Sequence, residues 1–280
     1  MIKKVTILLW LGIFCDASTY ALPTIPGPIF KIPPEIQAIT DVDSLRQLLT
    51  DPDYENKIGI CMRLGELGTE AELPLLIDVF NSEPYFLGIE AMPNIKHFSL
   101  ISIGQIGGPT AEKFLRQIVT TMSPNIKAGT NSFTHADSLA TIVAAIEGLG
   151  YIGTPWIGAF LDSIFEDVDN KRAVRSTAYT EALKIELKNN LSLAFSADTA
   201  NYLIDKWKAV PWARTPFTTS GVSADYIVRT NAEALLYQYR SITLPYVEAL
   251  EKELSADDPK LGALKELRER MEANPAEPKE

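Results

Sequence analysis

The short phrase LGELG at residues 64–68 recurs as IGQIG at 103–107 and as LGYIG at 149–153. The second copy begins 39 residues after the first (64 to 103), and the third begins 46 residues after the second (103 to 149). Apolar residues recur at helical spacing before and after each copy. A phrase that repeats at this interval is typical of stacked helix pairs. The sequence therefore predicts an all-α chain arranged as an α-solenoid.

The last glycine of each copy marks the end of a helix. Gly68, Gly107 and Gly153 stand where a helix must stop, and glycine readily adopts the left-handed conformation that ends one. Thr69 and Glu72 then have the spacing of a capping box, which starts the next helix at once. The pattern predicts two helices joined by a short turn, an αα-hairpin.

Three stretches, 64–71, 103–111 and 149–156, resemble HEAT-like repeats, in particular the short bacterial form of the repeat. The resemblance covers about residues 55–230 and weakens toward the C-terminus. It implies a solenoid of HEAT-like helix pairs that serves as a scaffold or protein-binding surface. One branch of this family, the phycobilisome-lyase-like repeats, resembles lyases and chaperones for bilin chromophores, whose chemistry is intracellular. The N-terminal sequence described next argues against that branch.

The chain divides into four predicted segments. Residues 1–21 are predicted to be a signal peptide, because two lysines precede the apolar run 5–15, which is too short to span a bilayer. Residues 22–40 are predicted to form a proline-rich extended arm. Residues 41–256 should hold about five helix pairs, and residues 257–280 a charged helix and a disordered tail.

The signal peptide predicts an exported protein, periplasmic or extracellular, with no transmembrane span after cleavage. Attachment through a lipid on Cys15 is the alternative. Phe14 argues against it, because a lipoprotein signal has a small residue before its cysteine.

Composition excludes several classes of function. The 280 residues include 36 acidic and 26 basic side chains, which gives a net charge of −10, and 46% are hydrophobic. Such a chain folds around a core, and its charge opposes binding to nucleic acid. With two cysteines and two histidines, we expect no metal site and no cofactor.

Candidate catalytic residues are few. The stretch 148–153 matches the dinucleotide pattern Gly-x-Gly-x-x-Gly, but a helical pattern precedes it and the repeat explains its glycines. Cys61 and His97 fall on apolar positions of the repeat. This predicts that Cys61 is a buried small hydrophobic residue and that His97 is packed or hydrogen-bonded, not a ligand or base. His135 lies beside Asp137, a pair capable of acid–base chemistry. An enzyme or ligand carrier with a concave groove near this pair is the alternative function.

The links between helix pairs are predicted to be long, at 81–94, 122–137 and 208–223. Loops of this length are often functional, and aromatic residues in one row would serve as interface anchors. The predicted binding residues are Tyr85, Phe86, Phe133, Trp212 and Phe217. The alternative is that each ring covers its own repeat. The sequence thus predicts a non-catalytic scaffold that binds an unidentified protein.

Overall fold

The computed structural model describes residues 31–49, 53–83, 95–127, 133–167, 169–190, 197–210, 217–218 and 221–273. Within these ranges the chain is almost entirely helical. The helices are α1 (Pro34–Gln37), α2 (Val42–Leu48), α3 (Tyr54–Leu67), α4 (Leu73–Ser82), α5 (Ile95–Ile106), α6 (Gly108–Lys127), α7 (Phe133–Ile152), α8 (Pro155–Glu166), α9 (Arg172–Asn190), α10 (Ala197–Ala209), α11 (Ala224–Gln238), α12 (Arg240–Glu253) and α13 (Leu261–Ala273). A 3-10 turn (Glu70–Glu72) precedes α4, and strands β1 (Phe217–Thr218) and β2 (Gly221–Val222) form a short antiparallel ladder.

The N-terminal arm contains a helix, which the sequence did not predict. Pro34 opens α1 at the first helical position, where the missing N–H costs no hydrogen bond. Ile36 is buried, and the neighbouring Pro33 lies 3.0 Å from an ideal Cβ built on Gly59 of α3. This end of the arm is therefore packed on α3. Residues 1–30, including the predicted signal peptide and Cys15, lie outside the described residues.

Two of the three predicted turn glycines have left-handed backbone. Gly107 has φ of +75° and Gly153 has φ of +68°, and each directly follows the last residue of its helix. Their N–H groups donate to the carbonyl oxygens of Ile103 and Leu149, at 3.1 and 3.2 Å. Each glycine thus satisfies a carbonyl in the last turn of its helix.

The prediction that Gly68 ends its helix in a left-handed conformation is wrong, because its φ is not positive. The chain passes from α3 directly into the 3-10 turn, where Thr69 and Glu72 form the predicted capping box. A Cβ built on Gly68 would lie 2.4 Å from the carbonyl oxygen of Leu64. Lack of space, and not a left-handed conformation, requires glycine at this position.

Helices α3, α5, α7 and α9 pack side by side in sequence order, and we call them the first row. The first glycine of each phrase allows the close approach of these helices. The contacts are Gly65 against Ser102, Gly104 against Gly148, and Gly150 against Glu181. An ideal Cβ on Gly104 would lie 2.1 Å from the backbone oxygen of Gly148. A side chain cannot fit between two backbones at this separation.

Helices α4, α6 and α8 each lie mainly against the row helix that follows them in the chain, and α10 lies mainly against α11. Leu115 of α6, for example, reaches within 3.1 Å of a Cβ built on Gly148 of α7. The prediction that each glycine turn joins a pair of helices packed on each other is therefore wrong. A short glycine turn leaves little contact between the helices it joins, since the second helix packs along the next row helix instead.

The middle link is much shorter than predicted. Helix α6 continues to Lys127, through Pro124, and α7 begins at Phe133, which leaves only residues 128–132 between them. These longer helices pack along each other. Phe133 is therefore a helical residue and not a loop residue, and Phe217 lies in β1, paired with Val222.

The buried apolar residues form two clusters that meet at α9. Ala182 and Ile185 belong to the first cluster, which extends from Ile36, and Leu183 and Leu187 belong to the second. Helices α10 to α13 complete the second cluster. Helix α13 is the charged helix that the sequence predicts, and its apolar residues Leu264, Leu267 and Met271 are buried in this cluster. Across the described ranges, no helix is long and apolar enough to cross a membrane.

Candidate functional site

The most exposed large apolar side chains in the described ranges lie on either side of one turn. Tyr151, near the end of α7, is 53% exposed, and Trp156, near the start of α8, is 52% exposed. Gly153, with its positive φ, stands between them. Water-exposed aromatic rings of this size need a reason, because burying each would favour folding.

The start of α8 fixes the position of Trp156. Pro155 is the first helical residue, and the Thr154 side chain accepts a hydrogen bond from the N–H of Ile157 at 3.3 Å. Phe160 follows one turn later, with its ring centroid 5.9 Å from that of Trp156. The two rings therefore occupy one face of a capped, well-defined helix turn.

Arg116 of α6 completes this face. Its guanidinium carbon lies 4.1 Å from the centroid of the Trp156 ring and 5.3 Å from that of Phe160. A carboxylate oxygen of Glu112 lies 3.4 Å from a terminal guanidinium nitrogen of Arg116. The Nε of Arg116 is buried and has no hydrogen-bond partner among the described residues. We call Arg116, Trp156 and Phe160 the Trp156 surface. Phe160 is partly buried against the first apolar cluster, and Trp156 is exposed. A cation stacked on an exposed tryptophan is a common composition for an interface anchor.

A second group of polar side chains lies across the first row. The Nε2 of His97 in α5 is 3.4 Å from a carboxylate oxygen of Glu147 in α7. In α9, the ammonium of Lys184 lies 2.6 Å from a carboxylate oxygen of Glu181. Glu181 itself packs against Gly150 of α7. We call His97, Glu147, Glu181 and Lys184 the Glu147 junction.

Burial changes the proton affinity of the Glu147 junction. The side chain of His97 is 22% exposed, and its burial lowers its pKa below the usual 6.5. Burial, assisted by the nearby carboxylate of Glu181, raises the pKa of Glu147 from 4.5 to about 7. Burial also raises the pKa of Glu181. Near neutral pH, Glu147 can therefore hold or release a proton.

Most of the predicted binding aromatics lie outside the described part of the chain. Tyr85, Phe86 and Trp212 are not in the described ranges, and for Phe133 and Phe217 only the backbone is described. The predicted row of loop aromatics therefore stays a prediction.

The structure separates the two histidines. His135 and Asp137 are in the first two turns of α7, and their side chains are outside the described residues. His135 precedes Glu147 by twelve residues, which is about 18 Å along a helix. His97, beside Glu147, is therefore at the other end of α7. Cys61 is fully buried, and burial raises the pKa of its thiol to about 12, so it is not a reactive nucleophile.

Sequence reasoning missed the Trp156 surface, although a signal was present. Tyr151 stands in the third phrase where the first two have Glu66 and Gln105. Trp156 follows its turn glycine by three residues, where the other copies have Ala71 and Thr110. Large aromatics at positions that are polar or small in the other copies indicate a local role outside the core.

Within the described ranges, no three His, Cys, Asp or Glu side chains are grouped closely enough to hold a metal ion. Comparison with known proteins gives no match, whether to family models, to curated proteins or to solved structures. The similarity to HEAT-like repeats thus rests on the phrase and its spacing.

Proposed function

We propose that the chain is an exported, non-catalytic scaffold that binds another protein. In this proposal the helices continue as a HEAT-like α-solenoid. The ordered packing of α3, α5, α7 and α9 supports it, since stacked helices of this kind present extended surfaces for partners. The apolar run after Lys3 and Lys4 supports export.

The exposure of Trp156 is the observation that carries the proposal. A tryptophan that is half exposed, held in a capped helix turn and covered on one face by Arg116 keeps a large apolar surface available. Tryptophan, tyrosine and arginine are the residues that contribute most often to binding energy in protein interfaces. Because the ring is held in place, little side-chain entropy is lost on binding.

The alternative is an enzyme or ligand carrier with a site near His135 and Asp137. That site would need further polar side chains converging on the pair. The geometry of the described residues gives it no support, because His97 pairs with Glu147 at the far end of α7. We therefore favour the scaffold.

Replacing Trp156 with alanine should weaken capture of the partner protein by roughly 10- to 100-fold, which corresponds to about 1–3 kcal/mol. The melting temperature should stay within a few degrees of wild type, because an exposed ring contributes little to the core. Quantitative mass spectrometry of proteins bound by tagged wild type and variant in the native source measures the loss.

Ile242→Ala is the matched control, since Ile242 is also an exposed apolar residue but lies on α12. It should leave capture unchanged. Equal capture by all three proteins would contradict a role for the Trp156 surface.

A further inference from the structure

The Glu147 junction is not used by the proposed binding surface, yet it connects three helices of the first row. His97 projects from α5, Glu147 from α7, and Glu181 and Lys184 from α9. The helices approach closely here, with Gly104 against Gly148 and Gly150 against Glu181. The Glu147 side chain is 33% exposed where these helices meet, and separation of α7 from either neighbour would expose it further to water.

The charges around Glu147 do not balance when it is ionised. Lys184 already pairs with Glu181 at 2.6 Å, and the His97 ring, only 22% exposed, resists protonation. Two carboxylates would then share one ammonium group. A proton on Glu147 removes the excess negative charge without any movement of the helices.

Two charged side chains described on the other helices that pack on α7 interact with groups other than Glu147. Arg116 of α6 lies over Trp156, and Asp162 of α8 interacts with Glu186 and Lys206. The groups that act on Glu147 electrostatically are Glu181 and Lys184. Tyr151, also in α7, interacts electrostatically with Lys184.

We propose that the Glu147 junction is a proton-dependent contact: Glu147 takes up a proton when α7 packs between α5 and α9, and releases it when these helices separate. The consequence is a stability of the first row that depends on pH. The contact works within the chain and does not depend on the proposed partner.

The direction of the pH dependence follows from linkage. The pKa of Glu147 is about 7 in the folded chain and 4.5 when it is exposed to water. Its stabilising contribution is therefore greatest below pH 4.5, decreases as pH rises, and is lost above pH 7. His97 acts oppositely, because its lowered pKa removes stability as pH falls below 6.5.

Thermal unfolding of Glu147→Gln tests the proposal, because glutamine is neutral at every pH. The variant should melt about 3–6 °C above wild type at pH 8, and this difference should shrink toward zero at pH 4.5. Glu269→Gln, an exposed residue of α13, removes the same charge elsewhere and should show no such trend. A difference for Glu147→Gln that does not change with pH would overturn the proposal.

Amide hydrogen exchange locates the effect. After correction for intrinsic exchange rates, the protection of α5 and α7 relative to α12 should fall from pH 5.5 to pH 8 in wild type and stay constant in Glu147→Gln. A parallel change in all helices, or the same fall in the variant, would show that Glu147 does not control this contact.

Discussion

Replacing Gly104 with alanine is expected to lower the free energy of unfolding by about 3 kcal/mol or more. The added methyl group would lie 2.1 Å from the backbone oxygen of Gly148 and 2.5 Å from its Cα. Both neighbours are backbone atoms, so no side chain can rotate to make room, and α5 and α7 must move apart. Chemical denaturation followed by circular dichroism measures the loss.

Gly262→Ala is the matched control for Gly104→Ala. Gly262 is also a helical glycine, but an added Cβ there meets no atom within 4 Å. Alanine has the higher helix propensity, so stability should be unchanged or higher by up to about 1 kcal/mol. If Gly104→Ala behaved like Gly262→Ala, α5 and α7 would not be in the close contact described above.

Replacing Trp207 with alanine should cost about 3–5 kcal/mol, because it empties the centre of the second apolar cluster. The ring is 1% exposed, and its Nε1 donates a hydrogen bond to Glu233 of α11 at 2.9 Å. The Glu233 carboxylate is itself mostly buried and would lose this donor. Guanidinium unfolding monitored by circular dichroism reports the change.

Two further variants separate burial from chemistry at Trp207. Trp207→Phe keeps most of the ring volume and should cost only about 1–2 kcal/mol, mainly for the lost hydrogen bond. Trp156→Ala removes the same side chain from an exposed position and should be nearly neutral. Equal losses for Trp207→Ala and Trp156→Ala would contradict the assignment of Trp207 to the core.

Part of the local structure was predictable from the sequence, where short-range signals determine it. Gly107 and Gly153 end their helices, and Thr69 with Glu72 starts the next segment, through groups only a few residues apart. These effects depend on backbone conformation and on hydrogen bonds between residues that are close together in the chain. A single sequence is therefore enough to predict them.

The packing of the helices was less predictable, because it depends on residues far apart in the chain. The repeat phrase does not show that α6 lies along α7 and only briefly contacts α5. Helix α6 also continues through Pro124, although proline usually ends or kinks a helix. Helix α13 has a charged sequence, but Leu264 and Leu267 bring it into the second cluster.

The two candidate sites also differ in how far the sequence could predict them. Tyr151 and Trp156 were detectable, since they interrupt the pattern of the other two copies. The pairing of His97 with Glu147 was not, because fifty residues separate them and only the packing of α5 on α7 brings them together. Assignment of His97 to the apolar stripe predicted a packed or hydrogen-bonded side chain but did not identify its partner.

Site-specific photo-crosslinking at position 156 tests the central claim, that the Trp156 surface binds a protein. The chain would carry a photoreactive amino acid at position 156 or, as controls, at the exposed apolar positions 48 and 242. Irradiation in the native source should give a discrete adduct with one partner from position 156 and none from the controls. The same adducts from all three positions, or no adduct from position 156, would contradict the account.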